Sequence, residues 1–321
     1  MFALTAARFD RDDPLAALEA GEQPEPDPPA GWETIEVRAT SLNHHDVWSL
    51  RGVGLSEAAL PMVLGCDAAG VTADGREVIA HAVIAADGGP GVDLDQPFSI
   101  LSERYPGTHA ERVAVPSANL VPKPPELSFV EAACLPTAWL TVYRMLFVQG
   151  GARPGDRVLV QGAGGGVATA AVLLGRAAGL TMWVTSRDEA KAARARELGA
   201  HAAFETGARL PERVDVVLET VGEATWAHSL RSVRQGGTVV VSGATTGGNP
   251  PAELNRVFFR QLSIAGSTMG SLAELQALVR MLAATGVRPV VDATFDLRDG
   301  RRAYERLAKG EVFGKLVLTN G

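Results

Sequence analysis

Apolar positions repeat in two different ways along this chain, and the change falls near residue 122. Before it, apolar runs are short and broken by glycine or proline. Residues 2–7 (FALTAA) read as a first strand, and residues 33–39 (ETIEVRA) alternate polar and apolar side chains as a half-buried strand does. Residues 60–71 (LPMVLGCDAAGV), 77–84 (EVIAHAVI) and 112–115 (RVAV) continue the set. Several short strands at close spacing predict a compact, barrel-like β unit. The acidic, proline-rich stretch 22–30 (EQPEPDPPA) has too few N–H donors for a ladder and predicts an extended connector. Residues 122–125 (PKPP) mark the shift.

Beyond it the pattern alternates. A capped helical start at 128–133 and a helix at 137–147 lead to strands at 158–160, 181–185, 202–204, 215–219, 238–242 and 262–266. Helices at 167–178, 188–198 and 225–233 separate them, which predicts an α/β, doubly wound parallel sheet. Helices at 272–284 and near 301–308, then a strand at 315–319, are too few for a separate domain. They are expected to complete the first unit, giving a β-rich domain of residues 1–123 and 267–321 with the sheet domain, 124–266, inserted into it.

Residues 158–179 (VLVQGAGGGVATAAVLLGRAAG) organise the inserted region. An apolar strand runs into Gly162, Ala163, Gly164, Gly165 and Gly166, and an apolar helix leaves from Val167. Glycines let backbone approach a ligand, and the unpartnered N–H groups of a helix start favour an anion. A packing turn would look similar, but a second strand follows, and position 186 lies 22 residues beyond Gly164. That matches the spacing to the ribose-reading residue of a dinucleotide fold, about 20 residues. A pyrophosphate is the expected occupant.

Composition narrows the classes. The chain has 321 residues, 46% of them hydrophobic and 21% charged, as in ordinary globular proteins. A net charge of −7 with no concentrated basic face argues against nonspecific nucleic-acid binding. The longest apolar stretch stops at Arg176, and the N-terminus lacks a signal-peptide layout, so a soluble cytoplasmic protein without membrane partners is expected. Two cysteines, Cys66 and Cys134, support neither a disulfide framework nor an all-cysteine zinc site.

Several motifs resemble the medium-chain dehydrogenase/reductase superfamily, in its zinc-independent, quinone-oxidoreductase-like branch. They are SLNHHDVWSLRG (41–52), LGCDAAG (64–70), CLPTAWLTVYRML (134–146), GARPGDRVLVQGAGGGVA (151–168), DVVLETVG (215–222) and GKLVL (314–318). The resemblance implies a GroES-like catalytic domain, an inserted Rossmann domain, an active site in the cleft, and a homodimer through the Rossmann sheet edge at 262–266. Where the family's GxGxxG stands, this chain has Ala163, Gly165 and Ala168, with Gly162 making the turn. At the family's catalytic zinc-ligand positions it has Asn43, Cys66 and Thr137. An amide and a hydroxyl are poor zinc ligands, so no catalytic metal is expected. The structural zinc lobe would fall near 87–101, and its cysteines are absent.

The end of the second strand carries Ser186 and Arg187 where an NAD enzyme has an acid. Serine and arginine suit a 2′-phosphate, so NADP(H) is the expected cofactor, with Lys191 adding charge or lying on a solvated helix face. Without a metal, the chemistry expected is hydride addition to a quinone or to the β-carbon of a conjugated carbonyl, resting on positioning and a few donors. By the resemblance, Asn43, Thr137 and the turn Gly243, Ala244, Thr245 surround the nicotinamide. His45 is the candidate proton donor or relay, or else a histidine on the surface or behind the residues that touch substrate, and Asp46 orients the cluster. His44 lies near the cofactor phosphates or packs the backbone, Trp48 walls the pocket or belongs to the core, and Cys66 borders the small-molecule substrate. Two alternatives stay open: an alcohol dehydrogenase acquiring zinc through Cys66 and its neighbours, and a catalytically silent nucleotide-binding regulator.

Overall fold

A computed structural model describes residues 1–86, 88 and 96–320. The expected long loop at 87–97 lies mostly outside the described residues. The chain divides into two compact units, Met1–Ala138 with Gly270–Gly321, and Trp139–Met269. The first division therefore falls beyond the proline shift at 122–125. The helical turn Phe129–Ala132, capped by Ser128 and Glu131, packs back on the strands Trp32–Ser41 and Ala68–Thr72 of the first unit.

In the first unit the central strand is Trp32–Ser41. It pairs antiparallel with Ala68–Thr72, with Arg112–Pro116 and with the C-terminal strand Lys315–Thr319, in the register Val317 to Ser41. The last strand thus closes the first unit's sheet. Leu18–Glu22 (LEAGE) is a strand that intrinsic preference does not foretell, because glutamate, alanine and glycine are poor strand formers. Pairing with Phe2–Ala6 from Phe2 opposite Glu22 to Ala6 opposite Leu18 holds it. Val291–Asp296 likewise forms by pairing, parallel to Lys315–Thr319. The core gathers Leu4, Leu50, Leu64, Tyr304, Leu316 and Leu318, all at most 1% exposed.

The second unit is a six-stranded, all-parallel sheet. Its spatial order is Ala202–Glu205, Thr181–Ser186, Arg157–Val160, Val214–Glu219, Val233–Val241, Ser263–Gly266. The order reverses between Arg157–Val160 and Val214–Glu219, and ligands of such sheets sit at that switch, beyond the strands' carboxyl ends. The helix expected at 137–147 is α-helical only over Leu140–Tyr143 and wound as π-helix over Leu135–Trp139 and Arg144–Gln149. No helix among the described residues is long and apolar enough to cross a membrane.

Candidate active site

The glycine turn is built from backbone. Gly162 has φ +105°, a value side-chain-bearing residues rarely adopt, and its N–H donates to Thr185 Oγ1 at 3.1 Å. The helix Gly166–Ala177 starts at Gly165, where no side chain caps it and a Cβ would meet nothing within 4 Å. Open N–H groups and open space at a helix start fit a pyrophosphate. Ala163 and Gly164 are buried beneath the turn, while Gly166 and Val167 are half-buried on it.

Polar side chains brace this turn from behind. Thr185 Oγ1 donates to Gln161 Oε1 (2.9 Å), and Gln161 Nε2 contacts His228 Nδ1 and Ser229 Oγ, each at 2.9 Å. Ser229 donates to the fully buried Glu219 at 2.6 Å. Glu219 also accepts from the N–H groups of Val221 (2.8 Å) and Gly222 (3.1 Å), fixing the loop at the end of its strand. Thr246 N–H donates to Val221 O (2.8 Å), which ties the neighbouring turn of Gly243, Ala244 and Thr245 to that loop. Ala244 and Thr245 are exposed.

At the end of the second strand, Ser186 Oγ donates to Asp188 O (2.8 Å) and accepts from Asp188 N–H (3.1 Å), and Asp188 Oδ1 caps the next helix by accepting from Ala190 and Lys191 N–H. That carboxylate is committed to the helix start. Arg187 is exposed beside it, and Lys191 is half-buried one turn into the helix. Together the turn and this strand end fit a nicotinamide dinucleotide.

The first unit holds a second cluster, built from side chains. Asn43 N–H donates to Asp46 Oδ2 (2.7 Å), which starts the helix His44–Leu50. Val47 and Leu50 anchor that helix in the core, whereas Trp48 is half-buried and His44 exposed. Gly65 (φ +97°) lets the chain cross close to His109, where a Cβ would sit 2.4 Å from His109 Cδ2. The crossing brings Cys66 and Asp67 against the helix. Cys66, expected at the substrate, is fully buried, with Sγ at 3.2 Å from Leu101 O and 3.5 Å from His45 Nδ1. Burial pushes its thiol up from the usual range.

His45 sits between that sulfur and a carboxylate, with Nε2 at 3.3 Å from Glu103 Oε1 and Nδ1 at 3.9 Å from Asp46 Oδ1. Burial works against its charged form, but Cys66, Asp46 and Glu103 outweigh burial and hold His45 well above the usual histidine range. Asp46 is held low despite burial, by His109, His45 and the Asn43 N–H. Its Oδ1 has no hydrogen-bond partner. Burial keeps His109 low, and its Nδ1 meets Tyr304 Oη at 2.8 Å.

Lys315 completes the cluster. Its Nζ, buried in the sheet, donates to Leu42 O (2.6 Å) and Asn43 Oδ1 (2.7 Å) and lies 3.4 Å from Asp67 Oδ2. Asn43 Nδ2 donates to the same Asp67 oxygen at 2.8 Å. Both ends of the Asn43 amide are therefore engaged. Thr137 Oγ1 is buried without a partner.

These donors fit a catalytic zinc poorly. The amide oxygen at one ligand position holds an ammonium, the second position is a protonated thiol, and the third is a hydroxyl. Among the described residues, His45, Asp46 and Cys66 bring ligand atoms within 4.8 Å of one another. There the imidazole and thiol both favour their protonated forms, and a metal would have to displace those protons.

Comparison with known proteins follows the same lines. An alcohol dehydrogenase GroES-like domain matches residues 29–125, and a zinc-binding dehydrogenase domain matches 166–284. The zinc-type alcohol dehydrogenase-like protein YogA of Leptosphaeria maculans is 30% identical, over 88% of this chain and 89% of its own. The quinone oxidoreductase of Mus musculus is 28% identical over 88% of each chain. The crystal structure of an NAD-dependent alcohol dehydrogenase is similar over 100% of both chains, with 33% identity and a TM-score of 0.89. The chain belongs to the medium-chain dehydrogenase/reductase superfamily of nicotinamide-dependent oxidoreductases.

Proposed function

We propose that the protein is an NADPH-dependent reductase of quinones or α,β-unsaturated carbonyls that works without a catalytic metal. The observation that carries this reading is the pairing of Lys315 with Asn43. A fixed ammonium occupies the amide at a family metal-ligand position, while His45 in the same cluster is set up as an acid. The relatives agree with reduction of conjugated carbonyls: besides the quinone oxidoreductase, the crotonyl-CoA reductase of Streptomyces avermitilis is 28% identical over 95% of this chain and 83% of its own.

The cofactor, when bound, supplies a hydride. The glycine turn holds its pyrophosphate by N–H groups, and Arg187 pairs with the 2′-phosphate, since Asp188 is engaged in capping and no acid stands at 186. Addition at a β-carbon or to a quinone leaves charge spread over oxygen and carbon, so a proton donor replaces a Lewis acid. His45, protonated, gives its proton to the reduced substrate and is recharged through Glu103 from solvent. Asn43, Asp46 and Cys66 hold the ring's surroundings, and Lys315 neutralises Asp67. Thr137 offers its unpartnered hydroxyl to the cofactor.

The protein is proposed to pair as a homodimer through Ser263–Gly266, the sheet's edge. Ile264 there is 44% exposed, and Leu254, Phe258 and Phe259 nearby are 69%, 57% and 75% exposed. The test of function is NADPH oxidation against quinones, enones, enoyl thioesters and aldehydes. Turnover of the first three groups with little aldehyde reduction is expected; aldehyde reduction alone, dependent on added zinc, would overturn the reading.

A further inference from the structure

On the second unit, residues 207–213, the end of the helix Glu223–Ser232 and the helix Leu254–Phe259 surround a cavity of about 470 Å³. Four arginines line it, Arg209, Arg213, Arg231 and Arg256, against one acid, Glu212. Arg213 immediately precedes Val214–Glu219, at that strand's amino end, whereas Gly207 and Ala208 follow the carboxyl end of Ala202–Glu205. The glycine turn follows the carboxyl end of Arg157–Val160. None of the cavity's lining residues belongs to the glycine turn or to the pair Ser186 and Arg187.

Its charges are poorly balanced from within. Glu212 is drawn to Arg157 (2.9 Å), and Glu253 answers only Arg256 (2.7 Å). Arg213 Nη1 donates to the backbone carbonyls of Arg231 and Val233 rather than to a carboxylate. Among the described residues no acid pairs with Arg209 or Arg231, and Arg260 Nε, close by, is buried without a partner. Partial burial, then the charges of Arg260, Arg256 and Arg209, hold Arg213 below the usual arginine range. Gathering unpaired guanidinium groups is unfavourable unless an anion offsets them, and this chain is acidic overall, with a net charge of −7. Guanidinium forks match the oxygens of phosphoryl groups two at a time. A cavity of this size suits a small ligand, not a nucleic-acid strand.

We propose that this arginine-lined cavity is a second anion site that binds a diphosphate group, free or carried by a nucleotide. The probes are inorganic pyrophosphate and ADP, titrated calorimetrically into the full-length protein saturated with NADPH. One-to-one binding that weakens with added salt is expected. The exposed pair Arg209→Ala/Arg231→Ala is expected to weaken it at least tenfold with an unchanged melting temperature. Equal affinities assign free diphosphate as the ligand, and tighter ADP assigns a nucleotide. Absence of binding by both probes, or binding that the double variant leaves intact, would overturn the proposal.

Discussion

The two clusters of this molecule are made differently. The nucleotide turn is backbone, with glycine conformation, uncapped N–H groups and neutral side chains braced by one buried carboxylate, Glu219. The cluster around His45 is side chain, with lysine, three acids, two histidines and a thiol brought together from distant parts of the chain. Backbone binding depends on the conformation of a local turn. A side-chain cluster stands or falls with each charge, because a buried group whose partner is removed bears its full desolvation cost.

The sharpest way to separate the two is His45→Gln. Loss of a general acid is expected to lower kcat by about a hundredfold to ten-thousandfold, with NADPH affinity unchanged. In the wild type the acid must be protonated, so kcat is expected to hold below the raised His45 pKa and to fall as pH rises through it. The groups facing the ring are Asp46, Cys66 and Glu103. The variant's profile should be flat there, and an unchanged kcat would remove His45 from the chemistry.

Lys315→Met comes next. It strands Asp67 as a buried carboxylate and is expected to cost about 3–5 kcal/mol in denaturant unfolding. Adding Asp67→Asn should recover part of that loss; a loss below about 1 kcal/mol would mean that the pair is not buried as described.

A third effect is on stability against acid. His81 is buried, its Nε2 meets Gly270 O at 2.8 Å, and burial lowers its pKa to about 4. An unfolded histidine protonates near pH 6.5, so stability is intact above that value and is lost as pH falls toward 4, by about 3 kcal/mol. His81→Asn should flatten this slope between those limits. The smallest effect belongs to the backbone site: Arg187→Ala should weaken NADPH about tenfold and leave NADH unchanged, one charge-assisted contact's worth. Equal loss for both cofactors would take the 2′-phosphate away from Arg187.

This contrast also explains what the sequence revealed. The turn at 162–166 was readable because strand, glycines and helix are contiguous, and the parallel sheet followed from the alternation around it. The helix start at Asn43 and Asp46 is local too, yet the pattern there reads only as a polar cluster, because a seven-residue helix is too short to show a periodicity. Lys315 was not readable, since it meets Asn43 across 272 residues, and the only signal was a lysine opening an otherwise apolar strand. His109 and Glu103 reach the cluster through sheet and turn geometry that no local pattern encodes. Asn43 itself proved to be held at both ends of its amide, a role set by tertiary contacts.

The central claim is hydride transfer without a metal. The direct measurement is NADPH-dependent turnover of an enone or quinone by protein stripped with a strong chelator, with bound metals quantified in the same sample. Full activity with less than one tenth of an equivalent of zinc is the expected result. Activity lost on stripping and restored by one equivalent of zinc would contradict it.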